Sequence, residues 1–159
     1  MKKVFQKSID INDNPDCMAA CIASIFEKDL EDVPNFYTYG PSALRKVGKK
    51  YLWDGWVDRL QKYCVGLGKI PYFHNPYLYK KDEYGMIGVS GSFEGRVFTH
   101  ALVTFGKEIV HCPSGKWNED THPFPIEISD FCKSGIMNHI WSVSFTDVLS
   151  LRKEIWLRK

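Results

Sequence analysis

The sequence predicts an α+β domain, with helices gathered in the first half of the chain and antiparallel strands in the second. Three observations lead there. Cys17 to Phe26 is apolar at nearly every position and comes directly after a turn-forming Asn14-Pro15-Asp16, the pattern of a buried helix. Leu44, Val47, Tyr51, Leu52, Trp56, Leu60 and Tyr63 recur at three- and four-residue spacing, which is helical. From residue 69 the period becomes that of strands, and Val97 to Phe105, rich in β-branched and aromatic residues, meets Gly106-Lys107 as one arm of a hairpin. Such segregation of helices and strands is the signature of the α+β class. No internal repeat or low-complexity linker divides the chain, so residues 1–159 read as a single domain. A domain of that length buries about two thirds of its unfolded surface.

Taken in order, residues 2–6 alternate loosely and predict a short strand, and Ile9 to Asp16 is polar and turn-rich. The first helix begins at or just after Asp16, whose carboxylate is placed to cap its first N–H groups. Three alanines, Ala19, Ala20 and Ala23, let neighbours approach it closely, so it is expected at the centre of the fold. Pro34 blocks any helical continuation of Leu30 to Val33, and Phe36 to Gly40 is an aromatic loop. A second helical region runs from about residue 41 to Cys64, with a break at Gly48 or Gly55, and ends at Gly66-Leu67-Gly68. Strands are predicted at 69–73, 84–90, 97–105, 108–112 and 140–145, with Gly91 to Gly95 as a loop. Ile126 to Ser129 reads as a short extended piece and Asp130 to Lys133 as a turn or short helix. Leu149 to Leu157 fits helix or strand equally.

Composition narrows the function classes. The net charge of +2 is too small to argue for nucleic acid, and the short basic clusters at Lys46, Lys49, Lys50 and at the chain end fit solvated faces. No apolar run approaches the ~20 residues of a membrane span, and the first residues lack the apolar core of a signal peptide. Five cysteines, an odd number without CxxC spacing, predict free thiols in a reducing, cytoplasmic setting. Gly88, Gly91 and Gly95 form no phosphate-binding fingerprint, because no helix comes after them. His111, Cys112 and His122 suggest a zinc site at first sight. Adjacent strand residues point to opposite faces, however, so neither metal nor cofactor is expected.

The chemistry concentrates on Cys17. At the first turn of a helix a thiol meets unpaired N–H groups and the positive end of the helix dipole, both of which favour the thiolate. Cys21 faces the same side one turn further in, where burial opposes ionisation, and is expected in the core, with Cys64 and Cys132 as small apolar fillers. A cysteine nucleophile needs a base, and His100, mid-strand in Phe98-Thr99-His100-Ala101-Leu102-Val103, is the best placed.

These residues carry a resemblance. A buried helix opening with a cysteine, a helical middle, and a strand bearing His before a hairpin is similar to the papain-like cysteine peptidase superfamily, including the peptidase domains of bacteriocin-exporting transporters. More specifically, Asp16-Cys17-Met18-Ala19-Ala20-Cys21-Ile22-Ala23-Ser24, then Val33-Pro34-Asn35-Phe36, Trp56, His100-Ala101-Leu102-Val103 and His111-Cys112-Pro113 resemble a pattern in small bacterial and bacteriophage papain-like proteins. The likeness covers residues 1–115. It implies a papain-like α+β fold, with the N-terminal central helix packed on an antiparallel β-sheet. It implies Cys17 as nucleophile, His100 as base, and Gln6 as the side chain that joins the Cys17 N–H in holding an oxyanion. Where the pattern has His-Asp-Pro, this chain has Cys112, and a thiol is a poor acceptor for the second ring nitrogen. Asn118 or Asp120, just beyond, would substitute if the loop folds back. The function implied is a cysteine hydrolase or acyltransferase acting on an amide or thioester of a peptide or protein. The alternative is an inactive papain-like fold retained as a protein-binding module, such as a phage protein directed at a host factor.

Overall fold

A computed structural model describes residues 1–7, 16–36, 54–78, 82–93, 96–115, 124–133 and 137–148 of the chain. Helix α1 (Cys17–Phe26) is succeeded by a 3-10 turn at Leu30–Asp32 and by helix α2 (Asp54–Gly66). Strands β1 (Lys69–Phe73), β2 (Tyr84–Phe93), β3 (Arg96–Phe105), β4 (Glu108–His111) and β5 (Ile126–Glu127) come next. The short helix α3 (Ile128–Lys133) and strand β6 (Met137–Asp147) complete the described elements. The strands form one six-stranded sheet in the order β1-β6-β2-β3-β4-β5, antiparallel throughout. The α+β class read from the sequence is the class observed.

The sheet has a different cover on each face. On one face α1 and α2 pack over Met86, Ala101, Val103, Trp141, Val143 and Phe145. Every residue from Cys17 to Ser24 is buried there, because a helix with no polar stripe has no side to leave in water. On the other face Ile87, Val89, Leu102, Ile109 and Cys112 join Ile128 and Phe131 of α3 in a second apolar cluster. Alternation along β3 divides Ala101 and Val103 from Leu102, one set to each core, as the pleat requires.

Two single-residue bulges modify that alternation. In β6, Gly88 pairs with Trp141 and Val89 with His139, which leaves Ile140 as the extra residue. In β4, Val103 pairs with His111 and Thr104 with Ile109, so Val110 is the extra residue. A bulge of this kind shifts the face of every residue beyond it. The first seats the Trp141 indole directly on Gly88, where a Cβ would lie 2.2 Å from its ring. Trp141 in turn packs on Trp56 of α2, ring centroids 5.0 Å apart, which ties that helix to the sheet.

The N-terminal residues are not the strand expected for 2–6. They run as an extended strap between α1 and the end of β4. Val4 N–H donates to the buried Ser24 Oγ at 3.0 Å, and the Ser24 hydroxyl reaches back to Ala20 O at 2.8 Å. His111 Nε2 donates to Val4 O at 2.9 Å, and the Phe5 ring meets the His111 ring edge-on. Asp16 does not cap α1 with its side chain, because its carboxylate instead accepts from Lys7 N–H at 3.1 Å. Helix α1 closes with Glu27 in the left-handed conformation, φ 55°.

Other boundaries differ as well. Strand β2 continues through Gly91 to Phe93, where the sequence predicts a loop. The second helix is seen from Asp54, with residues 37–53 outside the described set. Leu149 to Leu157 also lies outside it. Among the described residues no helix is long and apolar enough to cross a membrane.

Candidate active site

Cys17 is the first residue of α1, and the packing of that helix on β3 sets its position. The opening turn of a helix leaves its N–H groups without intrahelical acceptors. One of them, from Met18, is directed at the Cys17 sulfur, and so is the backbone N–H of Ala101 in β3. Both favour a thiolate. Burial outweighs them: Cys17 is 5% exposed, and its thiol is pushed up to about 11. The sequence expectation of a thiol activated by its helix end is therefore corrected, since desolvation of the charged form exceeds what two N–H groups restore. At rest Cys17 is a neutral thiol.

His100 sits beside Ala101 on β3, half-buried, and burial pushes its imidazole down to about 4. Its Nε2 lies 3.4 Å from Cys112 Sγ, and that sulfur lies 3.0 Å from Ser114 Oγ. The Val110 bulge accounts for this contact. If the register before the bulge continued, His111 would share the face of Leu102 and His100. With one residue inserted, His111 turns to the helix side, where Val4 receives it, and Cys112 turns to His100. Cys112 is itself buried, which raises its thiol, while the Ser114 hydroxyl and backbone N–H pull it partway back.

Cys21, one turn below Cys17, is fully buried, and burial holds its thiol well above the usual range. That is the core role expected for it. Cys64 is likewise buried and pushed up to about 12, and Cys132 is partly exposed. All five cysteines are free thiols.

Gln6 is drawn to the edge of this site. Its backbone N–H donates to Pro113 O at 2.9 Å, which fastens the N-terminal strap to the turn just after Cys112. Asn118 and Asp120 lie outside the described residues, as does His122. Among the described residues no group of three or more metal-ligating side chains converges. The departure at Cys112 is legible in the sequence; Ser114 is not, because only the turn at 113–115, with Gly115 at φ 65°, folds its hydroxyl back onto the sulfur.

The structure thus brings together Cys17 and the Ala101 N–H on one side of β3, and His100, Cys112 and Ser114 on the other. Among the described residues no hydrogen bond or electrostatic interaction joins Cys17 to His100. The link between the two halves is Cys112, which meets the His100 ring and also raises the thiols of Cys17 and Cys21. A thiol such as Cys17 can form a covalent bond to a carbonyl carbon and an imidazole such as His100 can move a proton, and neither group is charged at rest. Comparison of the chain with protein-family models, with curated proteins and with solved structures gives no match.

Proposed function

We propose that this chain is a papain-like cysteine hydrolase or acyltransferase, acting in the cytoplasm on an amide or thioester of a peptide or protein. The observation that carries the reading is the docking of the first turn of α1 on β3. It sets the Cys17 sulfur against the Ala101 N–H, one residue from an imidazole whose Nε2 is already engaged. His100 Nδ1 is then the nitrogen left to take the thiol proton. In the step envisaged, Cys17 Sγ attacks the carbonyl carbon as its proton passes to Nδ1. The oxyanion is received by N–H groups at the start of α1, with the Gln6 amide as the further donor. The imidazolium then protonates the leaving amine or thiol. The acyl group remains on Cys17 until water or a second nucleophile removes it.

The test uses p-nitrophenyl acetate as a minimal acyl donor, with peptide mass spectrometry to find the acetylated residue. Acetylation is expected at Cys17 ahead of Cys64 and Cys132. Equal labelling of all three thiols sinks the proposal. A second reading, a protein-binding module that keeps the fold without the chemistry, is favoured by the burial of Cys17 and by the thiol at position 112. Under it Cys17→Ala still captures the same partner as wild type.

A further inference from the structure

The contact between His100 and Cys112 has a direction, and the direction decides whether the site works. We infer that Cys112 donates its thiol proton to His100 Nε2 and so holds the imidazole as its Nδ1–H tautomer, a form unable to accept the Cys17 proton. This inference rests on the reading of Cys17 and His100 given above and specifies how that site is regulated.

Among the described residues, Cys112 Sγ has two polar neighbours and one proton to give. Ser114 presents to the sulfur a backbone N–H, which can only donate, and a hydroxyl, which can donate or accept. An imidazole nitrogen is the stronger acceptor, so the thiol proton goes to the ring and the hydroxyl donates to the sulfur. The remaining neighbour is His100 Nε2 at 3.4 Å. Between those two atoms the proton has a preferred side. A thiol is a far stronger acid than a neutral imidazole N–H, and an imidazole nitrogen is a far better acceptor than a thiol sulfur. S–H donating to N is therefore favoured over N–H donating to S. Charging of the ring does not reverse the preference, because burial keeps His100 neutral through the physiological range. The nitrogen that accepts fixes the tautomer. The proton sits on Nδ1, where the base function needs a lone pair.

The consequence is a latch with an obvious key. A residue at 112 that accepts from Nε2, in place of donating to it, turns the ring over to the Nε2–H tautomer and frees Nδ1. An imidazole held in the wrong tautomer costs a nucleophile–base pair up to about 10⁴-fold, so unlatching is expected to raise the rate of Cys17 acylation by roughly 10² to 10⁴. Loss of the Cys112 proton at alkaline pH has the same sense, because the thiolate sulfur only accepts.

The experiment reads the tautomer directly. Two-bond ¹⁵N–¹H spectra of the ¹⁵N-labelled full chain at pH 7, with His100 assigned by its loss in His100→Gln, distinguish Nδ1–H from Nε2–H. The expected result is Nδ1–H in wild type and Nε2–H in Cys112→Asp, whose carboxylate only accepts, from the ring and from the Ser114 N–H alike. Cys112→Ala, which only removes atoms, is the safeguard against misfolding and is expected to lose the Nδ1–H preference. In parallel, p-nitrophenyl acetate is expected to acylate Cys17 at least tenfold faster in Cys112→Asp than in wild type. That gain should vanish on adding His100→Ala. An Nε2–H ring in wild type, or an unchanged ring in Cys112→Ala, overturns the latch. A tautomer that flips in Cys112→Asp with no gain in acylation upholds the latch and overturns the catalytic reading beneath it.

Discussion

The two faces of the sheet are built on different principles. The face under α1 and α2 is hydrocarbon and indole: Met18, Ile22, Leu60, Met86, Val103 and Val143 are fully buried, and Trp56 and Trp141 close over them. The other face also has an apolar cluster, but elsewhere in the sheet run paired polar groups. His74 Nε2 lies 3.0 Å from Ser144 Oγ, His139 Nε2 lies 2.7 Å from Ser142 Oγ, and His100 meets Cys112. The helix face holds Cys17 and the opposite one holds His100. Damage should therefore fall differently on the two. Substitutions under the helices should change stability through packing, and protons should act through the histidines.

The contrast is tested most severely at Gly88. An added Cβ there lies 2.2 Å from Trp141 Cε2 and 2.4 Å from its Nε1, so the indole must leave its place on Trp56. Gly88→Ala is expected to cost about 3 kcal/mol, at the upper end of overpacking penalties, read as a lower urea midpoint. Gly66, at the end of α2, has nothing within 4 Å of its Cβ position. Gly66→Ala is therefore expected to stabilise by about 0.5 kcal/mol. Equal effects at the two glycines would remove the packing argument.

Acid tests the histidines. Burial lowers His74, His100 and His139 on the face opposite the helices, and His111 on the helix side as well. For His100 the shift is from 6.5 to about 4, so between those values the unfolded chain binds the proton and the folded chain does not. Its contribution is fully present above pH 6.5 and is lost as pH falls towards 4. From pH 7 to pH 5 that loss comes to about 2 kcal/mol. Urea denaturation at the two pH values should show it, and His100→Gln should reduce the drop by about that amount. An unchanged drop would mean that the ring is protonated in the folded state.

A smaller effect is expected at the strap that runs from α1 to β4. Ser24→Ala leaves the Val4 N–H buried without its acceptor, which costs about 1–2 kcal/mol. It should also release residues 1–7 from α1, seen as hydrogen exchange at Val4 and Gln6 that is faster than in wild type while the sheet is unchanged.

Much of the fold is open to reading in the chain alone. An apolar helix after Asn14-Pro15-Asp16 declares burial by having no polar stripe, and the hairpin at Gly106-Lys107 declares itself by turn chemistry and β-branched flanks. Cys17 at the start of that helix and His100 on that strand come from the same patterns. Local rules fail where a competing partner is distant in sequence or in the wrong direction along it. Asp16 reads as a cap, yet Lys7 claims its carboxylate. Residues 2–6 read as a strand, but their hydrogen bonds go to Ser24 and His111, neither of which alternation can foresee.

Local periodicity and turn chemistry are enough to set the class, the central helix, the order of helices before strands, and the two residue types on which the proposed chemistry depends. The state and the company of those residues belong to the folded molecule. Burial makes Cys17 a neutral thiol in spite of its helix end, because desolvation depends on every neighbour and not on the adjacent few. The single extra residue at Val110 decides that Cys112 and not His111 faces His100, because a register is a relation between strands.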